Sequence, residues 1–566
     1  MPASTRCANA GAADASTSTA SATGPKPLFT RIMAITSSNA GSTLARIALC
    51  VLALPLAVSS AGSPPADLRN NLVYEIFVRS FADTNGDGIG DLRGVTSRLD
   101  TYLNDGRAET NTDLEVGVLW LMPIFPSPSY HGYDVSDYES INPEYGTLAD
   151  FDALIAAAHR RGVRVVLDLP LNHTSSEHPW FRKALADPRA AERRYYHIRR
   201  DEGPAERGWH VASTPAGDRV RYFGLFDPSM PDLDFDTPAV RDLAKGIADF
   251  WLARGLDGFR LDAAKHVYGD TFGAITDDQV RRDNEWWREF SEAVYRRRPD
   301  AVLMGEVLGN RRDVLRYVSG LDGLLDETFM SEFAAGVHAA FSFVASHDRD
   351  PRLASALDDA KAQGKVANVD RAYRLAMYML LTIPNHPVVY MGDEVMQRGR
   401  KWPDDGSGVF DRPLREPFPW FRSNDGPGQT RWFEPRFDRP GDGVSREEED
   451  RPGGMLDLVR ALSHLRARHP AFANGDIGAI LSDTPEWLVF ERGTDSERYL
   501  VLINQTAEAR AYEFHTDWYP AWIGGTLLFR SDGASRRWIE IRADGERIGR
   551  TVRVPACGLV VLRRSP

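Results

Sequence analysis

Four carboxylates stand where chemistry could use them. Residues 255–266 read Gly-Leu-Asp-Gly-Phe-Arg-Leu-Asp-Ala-Ala-Lys-His, a short strand from Gly258 that ends in Asp262. Strand side chains alternate between faces, so Arg260 and Asp262 share one face. A guanidinium two residues before a carboxylate favours its ionised form, and an ionised carboxylate at a strand end can act as a nucleophile. Asp168, Glu306 and Asp348 lie at or just past the ends of three other expected strands. If those strands belong to one barrel, all four acids converge on its C-terminal mouth. Two facing carboxyl groups are what glycosidic cleavage needs, one to attack the anomeric carbon and one to protonate the leaving oxygen. Taken alone, the Arg260–Asp262 pair reads first as a structural ion pair at a strand end.

The elements that would carry these acids follow from periodicity. Residues 72–81 read as a first strand and residues 116–125 as a second, buried by its continuous apolar run. A helical pattern over 149–161 leads into a third strand at 163–169. Helices near 238–254, 284–297 and 370–381 alternate with strands at 258–262, 301–306, 341–345 and 387–391, with a short sixth unit around 322–340. Such alternation predicts a parallel sheet with crossover helices, and residues 67–470 are long enough for eight units. The expected fold is α/β, a (β/α)8 TIM barrel over 67–173 and 237–470, with an inserted loop domain at 174–236 after strand 3. Short β-type runs from 471 to 566 predict a C-terminal all-β sandwich domain. The irregular segments 174–236 and 395–450 are too long for idle connections.

Composition narrows the partners. The 566 residues predict two or three domains, and the 42% hydrophobic content can fill large cores. A net charge of −12 excludes a nucleic-acid or anionic-membrane partner of the usual basic kind. The 13 Trp, 18 Tyr and 26 Phe suit sugar stacking and large cores equally. Residues 1–61 are low in complexity and end in an apolar run, 47–58, after Arg46, then Ser59-Ser60-Ala61. This is the layout of a signal peptide, too short to span a bilayer. Met33 is the more natural start, so residues 1–32 read as an over-extended gene product. Export to the periplasm or outside the cell is expected, with no membrane segment after cleavage. Cys557 is then the one cysteine left, and no internal disulfide is available.

A metal loop is expected early. Asp83, Asn85, Asp87 and Asp91, with Ile89 between the last two, place oxygen donors at calcium-loop spacing, and glycines permit the tight turns. The loop lacks the distant bidentate glutamate of an EF-hand.

The ordered segments Asp168-Leu-Pro-Leu-Asn-His173, Gly258-Phe-Arg-Leu-Asp262, Gly305-Glu-Val307 and Ser346-His-Asp348 resemble the four motifs of the α-amylase family, glycoside hydrolase family 13. His131-Gly-Tyr-Asp-Val135, Met230-Pro-Asp-Leu-Asp-Phe235 and the calcium loop belong to the same pattern. The resemblance implies Asp262 as nucleophile, Glu306 as general acid and base, and Asp348 as transition-state stabiliser. It implies that Arg260 orients Asp262, that His173 and His347 bind hydroxyls of the cleaved sugar, that Tyr133 stacks on it and that Asp134 closes the same subsite. It also implies a retaining mechanism and a bound Ca2+. Three positions depart from the pattern: Ser346 replaces an asparagine, Pro351 and Arg352 displace an arginine by one place, and Asp234 replaces an asparagine. After the nucleophile come Ala263, Ala264, Lys265 and His266. In relatives acting on α-1,4 chains a Lys-His pair here resembles a leaving-side sugar contact. The Met-Pro-Asp-Leu stretch resembles a group intermediate between oligo-1,6-glucosidases and neopullulanases. The expected function is therefore an exported, monomeric α-amylase acting on α-glucan polysaccharides or oligosaccharides. The alternatives are an α-glucosidase, oligo-1,6-glucosidase or transglycosylase on short oligosaccharides, and a non-catalytic sugar-binding or transporter-associated subunit.

Overall fold

A computed structural model of the chain describes residues 72–269, 275–308, 314–317, 320–326, 340–403, 409–514, 522, 526–531 and 551–564. The expected signal segment and start lie outside them. Eight strands close into a parallel barrel: β1 (Leu72–Ile76), β2 (Val116–Leu121), β3 (Arg164–Leu169), β7 (Gly258–Leu261), β8 (Val302–Gly305), β9 (Gly323–Asp326), β10 (Ala340–Phe343) and β11 (His386–Tyr390). β11 pairs with β1 to complete it. These strands read as unbroken apolar runs because both faces are buried. Val73, Val118, Trp120, Val166, Met304, Phe341 and Val388 fill the interior. Their neighbours Tyr74, Leu119, Leu167, Phe259 and Leu303 join the larger core that includes residues of the outer helices.

The helices are set by their caps and apolar stripes. Helix α1 (Leu148–His159) starts at a Thr147–Asp150 capping box. Helix α2 (Pro179–Ala186) lies in the insertion, and α3 (Pro238–Ala253) returns the chain to the barrel. Helix α4 (Asp277–Arg297) is capped by Thr276 and buries Trp286, Trp287, Phe290 and Val294. Helices α5 (Leu353–Ala362), α6 (Val369–Thr382) and α7 (Met455–Arg468) complete the outer layer described here. No helix among the described residues is long and apolar enough to cross a membrane.

Two details differ from the sequence expectation. The first strand stops at Ile76, and Val78–Phe81 turn into one helical turn. The insertion is more regular than its sequence: β4 (Ile198–Arg200), β5 (Trp209–Ser213) and β6 (Arg219–Phe223) form an antiparallel sheet in the order β4-β6-β5. Of the short sixth unit, β9 is described and residues 327–339 lie outside the described residues.

The C-terminal strands β12 (Asp476–Asp483), β13 (Trp487–Gly493), β14 (Arg498–Asn504), β15 (Arg510–Glu513), β16 (Thr526–Arg530), β17 (Thr551–Val554) and β18 (Leu559–Arg563) form a five-stranded and a two-stranded sheet. One apolar cluster joins the sheets, with Val489, Leu500 and Leu502 from the larger and Val552 and Val554 from the smaller. Buried Arg492 ties this domain to the barrel. It donates to the carbonyls of Thr382 at the end of α6 and of Phe472 and Gly475. Cys557 is buried and free.

Candidate active site

The barrel register assembles the site. Asp168 on β3 stands opposite Arg260 on β7, and Arg260 opposite Met304 on β8. Gly258 allows β7 and β8 to approach: a Cβ there would lie 2.0 Å from the Val302 carbonyl oxygen. Past the strand ends, Ala263 adopts φ +49°, an uncommon conformation for a side-chain-bearing residue. That turn lets the Ala263 amide donate to Glu306 Oε2 at 2.8 Å, while the Glu306 amide donates to the Leu261 carbonyl at 2.9 Å. The two acids are thus clasped together through backbone.

One guanidinium joins the acids. Arg260, 1% exposed, sends Nη1 to Asp168 at 2.8 Å and to Asp262 at 2.5 Å, and Nη2 to Glu306 at 2.9 Å. Burial pushes Asp262 up to about 6 and Glu306 up to about 7, in both cases against the pull of Arg260. The sequence suggested that Arg260 would favour the ionised form of Asp262; desolvation in the buried site outweighs that attraction. Asp348 goes the other way. Burial acts to raise it, but His347 beside it and Arg415 hold it well below the usual carboxylate range. Environments that push neighbouring carboxyls apart in this way assign different roles to them.

A cavity of about 660 Å³ opens over these groups, with Tyr133, His173, Asp262, Glu306 and Asp348 in its wall. Burial pushes His173 down to about 4, so its ring is neutral at pH 7, and neither ring nitrogen has a protein hydrogen bond. Tyr133 donates to Asp168 Oδ2 at 2.9 Å and stacks on His347, ring centroids 5.5 Å apart. Asp134 is buried behind the wall, accepting from Ser127 and Ser129. Arg260 and His347 lie beneath the cavity floor rather than in it. Lys265, expected on the leaving side, turns its ammonium to the Leu308 carbonyl at 2.5 Å, and His266 backs the ring of Phe226 at 5.7 Å.

Two site residues escaped the sequence reading. Arg415, from the irregular 395–450 segment, donates to Asp348 Oδ1 at 2.9 Å and to the His347 carbonyl at 3.2 Å. The displaced Arg352 is engaged elsewhere, paired with Asp393 at 3.0 Å. Arg415 thereby supplies the cation beside Asp348, and nothing in its local sequence announces it. Phe226 is the other. It follows β6, is 50% exposed and stands at the cavity mouth beside His173. An aromatic within the long irregular segment 174–236 was the one available signal. The two remaining motif departures close turns: Ser346 Oγ accepts from the amides of Asp348 and Arg349, and Asp234 accepts from the amide of Asp236.

The expected metal loop leads into a helical turn capped by Asp91, which accepts from Gly94 and Thr84. Asp83 accepts from the amides of Asn85, Gly86 and Gly88, and Asp87 from that of Ile89. Gly86 and Gly88 take positive φ, as the tight winding requires. Carboxylate, amide and carbonyl oxygens are the donors a hard divalent cation takes, so the donor set fits calcium. Those acids do not form a gathered metal trio. Among the described residues, Asp113, Glu115 and His464 do, with ligand atoms within 4.8 Å of one another. There, however, Asp113 faces one ring nitrogen (3.3 Å) and Glu115 the other (3.0 Å). Such a bracket holds an imidazolium rather than converging on one ion. Burial acts to lower His464, but the two acids push it up to about 9. A group raised above its unfolded value of about 6.5 stabilises the fold fully below that value and loses the contribution as pH rises through about 9. The melting temperature of H464Q is therefore expected below the parent's at pH 6, with the gap closing by pH 10.

A family profile described as the catalytic domain of alpha amylase matches residues 75–335. Alpha-amylase 3 of Dictyoglomus thermophilum is 35% identical over 466 residues, covering 79% of this chain and 87% of that protein. A 4-alpha-glucanotransferase of Thermotoga maritima is 30% identical over 475 residues, covering 78% and 97%. Among solved structures, that of the alpha-amylase from H. orenii superposes with a TM-score of 0.71 at 33% identity, covering 88% of this chain and 99% of that one.

Proposed function

This chain belongs to the α-amylase family of glycoside hydrolases, and from that footing we propose that it hydrolyses α-1,4-glucosidic bonds of starch-type α-glucans through a covalent glycosyl-enzyme. The observation that carries the mechanism is the Arg260 bridge. One guanidinium between Asp262 and Glu306 keeps the carboxyls close, in keeping with the spacing of about 5–5.5 Å used by retaining rather than inverting enzymes. Asp262, the more acidic of the two, attacks the anomeric carbon as carboxylate. Glu306 gives its proton to the glycosidic oxygen as that bond breaks. Glu306, now a carboxylate, takes a proton from water, the hydroxide forms the new bond to the anomeric carbon, and the ester to Asp262 breaks. Asp348 stays ionised throughout and faces the positive charge that develops on the sugar ring. The neutral His173 ring offers a donor and an acceptor to sugar hydroxyls.

Protonation states fix the pH dependence. The free enzyme works with Asp262 ionised and Glu306 protonated, so kcat/KM should fall below about 6 and above about 7. A profile still flat at pH 9 would contradict these roles.

Linkage rests on the relatives, since Lys265 is engaged by the Leu308 carbonyl and not by the cavity. The test is product analysis on starch, maltotriose, isomaltose and pullulan. Maltooligosaccharides from starch, with isomaltose uncut, are expected; faster cleavage of isomaltose than of maltotriose would overturn the α-1,4 reading. Transfer to a sugar acceptor is the second reading, supported by Phe226 at the mouth, where a ring could hold an acceptor in place of water. Longer products than the substrate from maltotriose would establish it.

Calcium at Asp83, Asn85, Asp87, Asp91 and the Ile89 carbonyl, and export directed by the 47–58 run, complete the proposal. The ion's part is structural: it would hold the loop after β1. EDTA is expected to lower the melting temperature and excess Ca2+ to restore it; an unchanged melting temperature would remove the metal from the account.

A further inference from the structure

Glu75 lies in the middle of a strand motif that the proposed mechanism does not use. It is on β1, 0% exposed, on the same inward face as Val73 and one turn of the pleat nearer the catalytic mouth. Its Oε1 meets Nδ1 of His347, and its Oε2 is buried without a hydrogen-bond partner. The other nitrogen, Nε2 of His347, faces Asp348 Oδ2 at 3.0 Å and the Tyr133 hydroxyl at 2.6 Å.

With Glu75 as carboxylate, the hydrogen bonds around that ring admit one proton arrangement. The Tyr133 hydroxyl donates to Asp168 Oδ2, so toward His347 it offers a lone pair, as does Asp348. Nε2 must therefore carry a proton. Nδ1 faces the Glu75 carboxylate and must carry one too. Both ring nitrogens protonated is the imidazolium. A neutral side chain at position 75 could bond a neutral histidine equally well. A buried carboxylate is costly unless its partner is charged.

We propose that Glu75 is a positioning residue for the reaction: its charge locks His347 as imidazolium, which in turn donates to Asp348 and keeps that carboxylate ionised and aimed at the sugar. The charged and titratable groups facing His347 are Glu75 from β1, Tyr133 from the segment after β2, Asp168 from β3 and the adjoining Asp348, with Arg415 on its backbone carbonyl. Burial acts to lower His347, yet Asp348 and Glu75 push it up to about 10. Without the carboxylate on Nδ1 the ring would shed its Nδ1 proton: the Nε2–H contact to Asp348 would persist, but as a neutral donor, and the positive charge that holds Asp348 ionised would be gone. The inference rests on the assignment of Asp348 to the reaction centre, so its test has one arm that needs no activity.

The test compares the parent, E75Q and E75D. Histidine-labelled protein is titrated by NMR, with the His347 signal assigned by its loss in H347Q. His347 is expected to remain protonated through pH 8 in the parent and in E75D, and to titrate about two units lower in E75Q. In the second arm, kcat/KM is followed against pH on whichever glucan the product analysis identifies. The parent's alkaline limb, set by Glu306, should fall about tenfold per pH unit. E75Q should match the parent within about threefold at pH 5.5 and fall more steeply, about a further tenfold by pH 9, as a second ionisation enters. E75D should keep the parent's slope. An unchanged His347 titration in E75Q overturns the proposal, whatever the activity does. A shifted titration with parallel pH profiles overturns the catalytic link while leaving the proposed hydrolase function intact.

Discussion

Replacing Asp262 by asparagine is expected to abolish turnover, with kcat on soluble starch down by about 10⁴-fold or more. The amide has the same shape and can still accept a hydrogen bond from Arg260, so the cavity should persist, but it cannot form the glycosyl ester. The loss should be the same for every leaving group, because a missing nucleophile blocks the first step however easily the bond would break. Stability should move the other way. Burial raises Asp262 above its ordinary value, so the folded state binds that proton more tightly than the unfolded chain. Ionising it therefore costs stability as pH rises from about 4 through about 6. D262N removes that cost and should melt no lower than the parent at pH 8. An inactive but equally stable variant separates a chemical role from a structural ion pair with Arg260.

Glu306→Gln gives a different pattern. General acid catalysis supplies about 10²–10⁴-fold, and a natural glucan with a poor leaving group should lose that much. A glucosyl fluoride, whose leaving group needs no proton, should still form the covalent intermediate. With no base to activate water, that intermediate should accumulate, and added azide, a nucleophile that needs no deprotonation, should discharge it. D262N should show neither accumulation nor rescue. A uniform loss across all leaving groups in E306Q would mean that Glu306 holds structure rather than donates a proton. Its elevated value of about 7, a consequence of burial, is what makes a carboxylic acid available for this work near neutral pH.

How much of this was readable beforehand depended on where each residue sits. The barrel strands announce themselves because burial on both faces forces short continuous apolar runs, as in Val116–Leu121. Asp262 and Glu306 end such runs, so their arrival at one mouth follows once the barrel is recognised. Arg415 was not readable. It stands 67 residues beyond Asp348, on a loop whose path is set by tertiary packing rather than by local propensity. The insertion's sheet was missed because β5 is half-buried to exposed along its length and shows no strong period. Nor could the sequence show that burial outweighs Arg260 at Asp262, since the balance depends on how completely the site is closed from water. Glu75 sat in plain view inside an apolar strand; its meaning required knowing that β10 would bring His347 against it.

The central claim is that Asp262 carries the sugar between the two chemical steps. Mass spectrometry of E306Q after incubation with a glucosyl fluoride tests it most directly. One hexosyl group is expected on the peptide containing Asp262, and none on the same peptide from the double variant D262N/E306Q. A sugar attached to a different residue, or an intact protein that never gains one while an anomer-inverted product forms, would contradict the account.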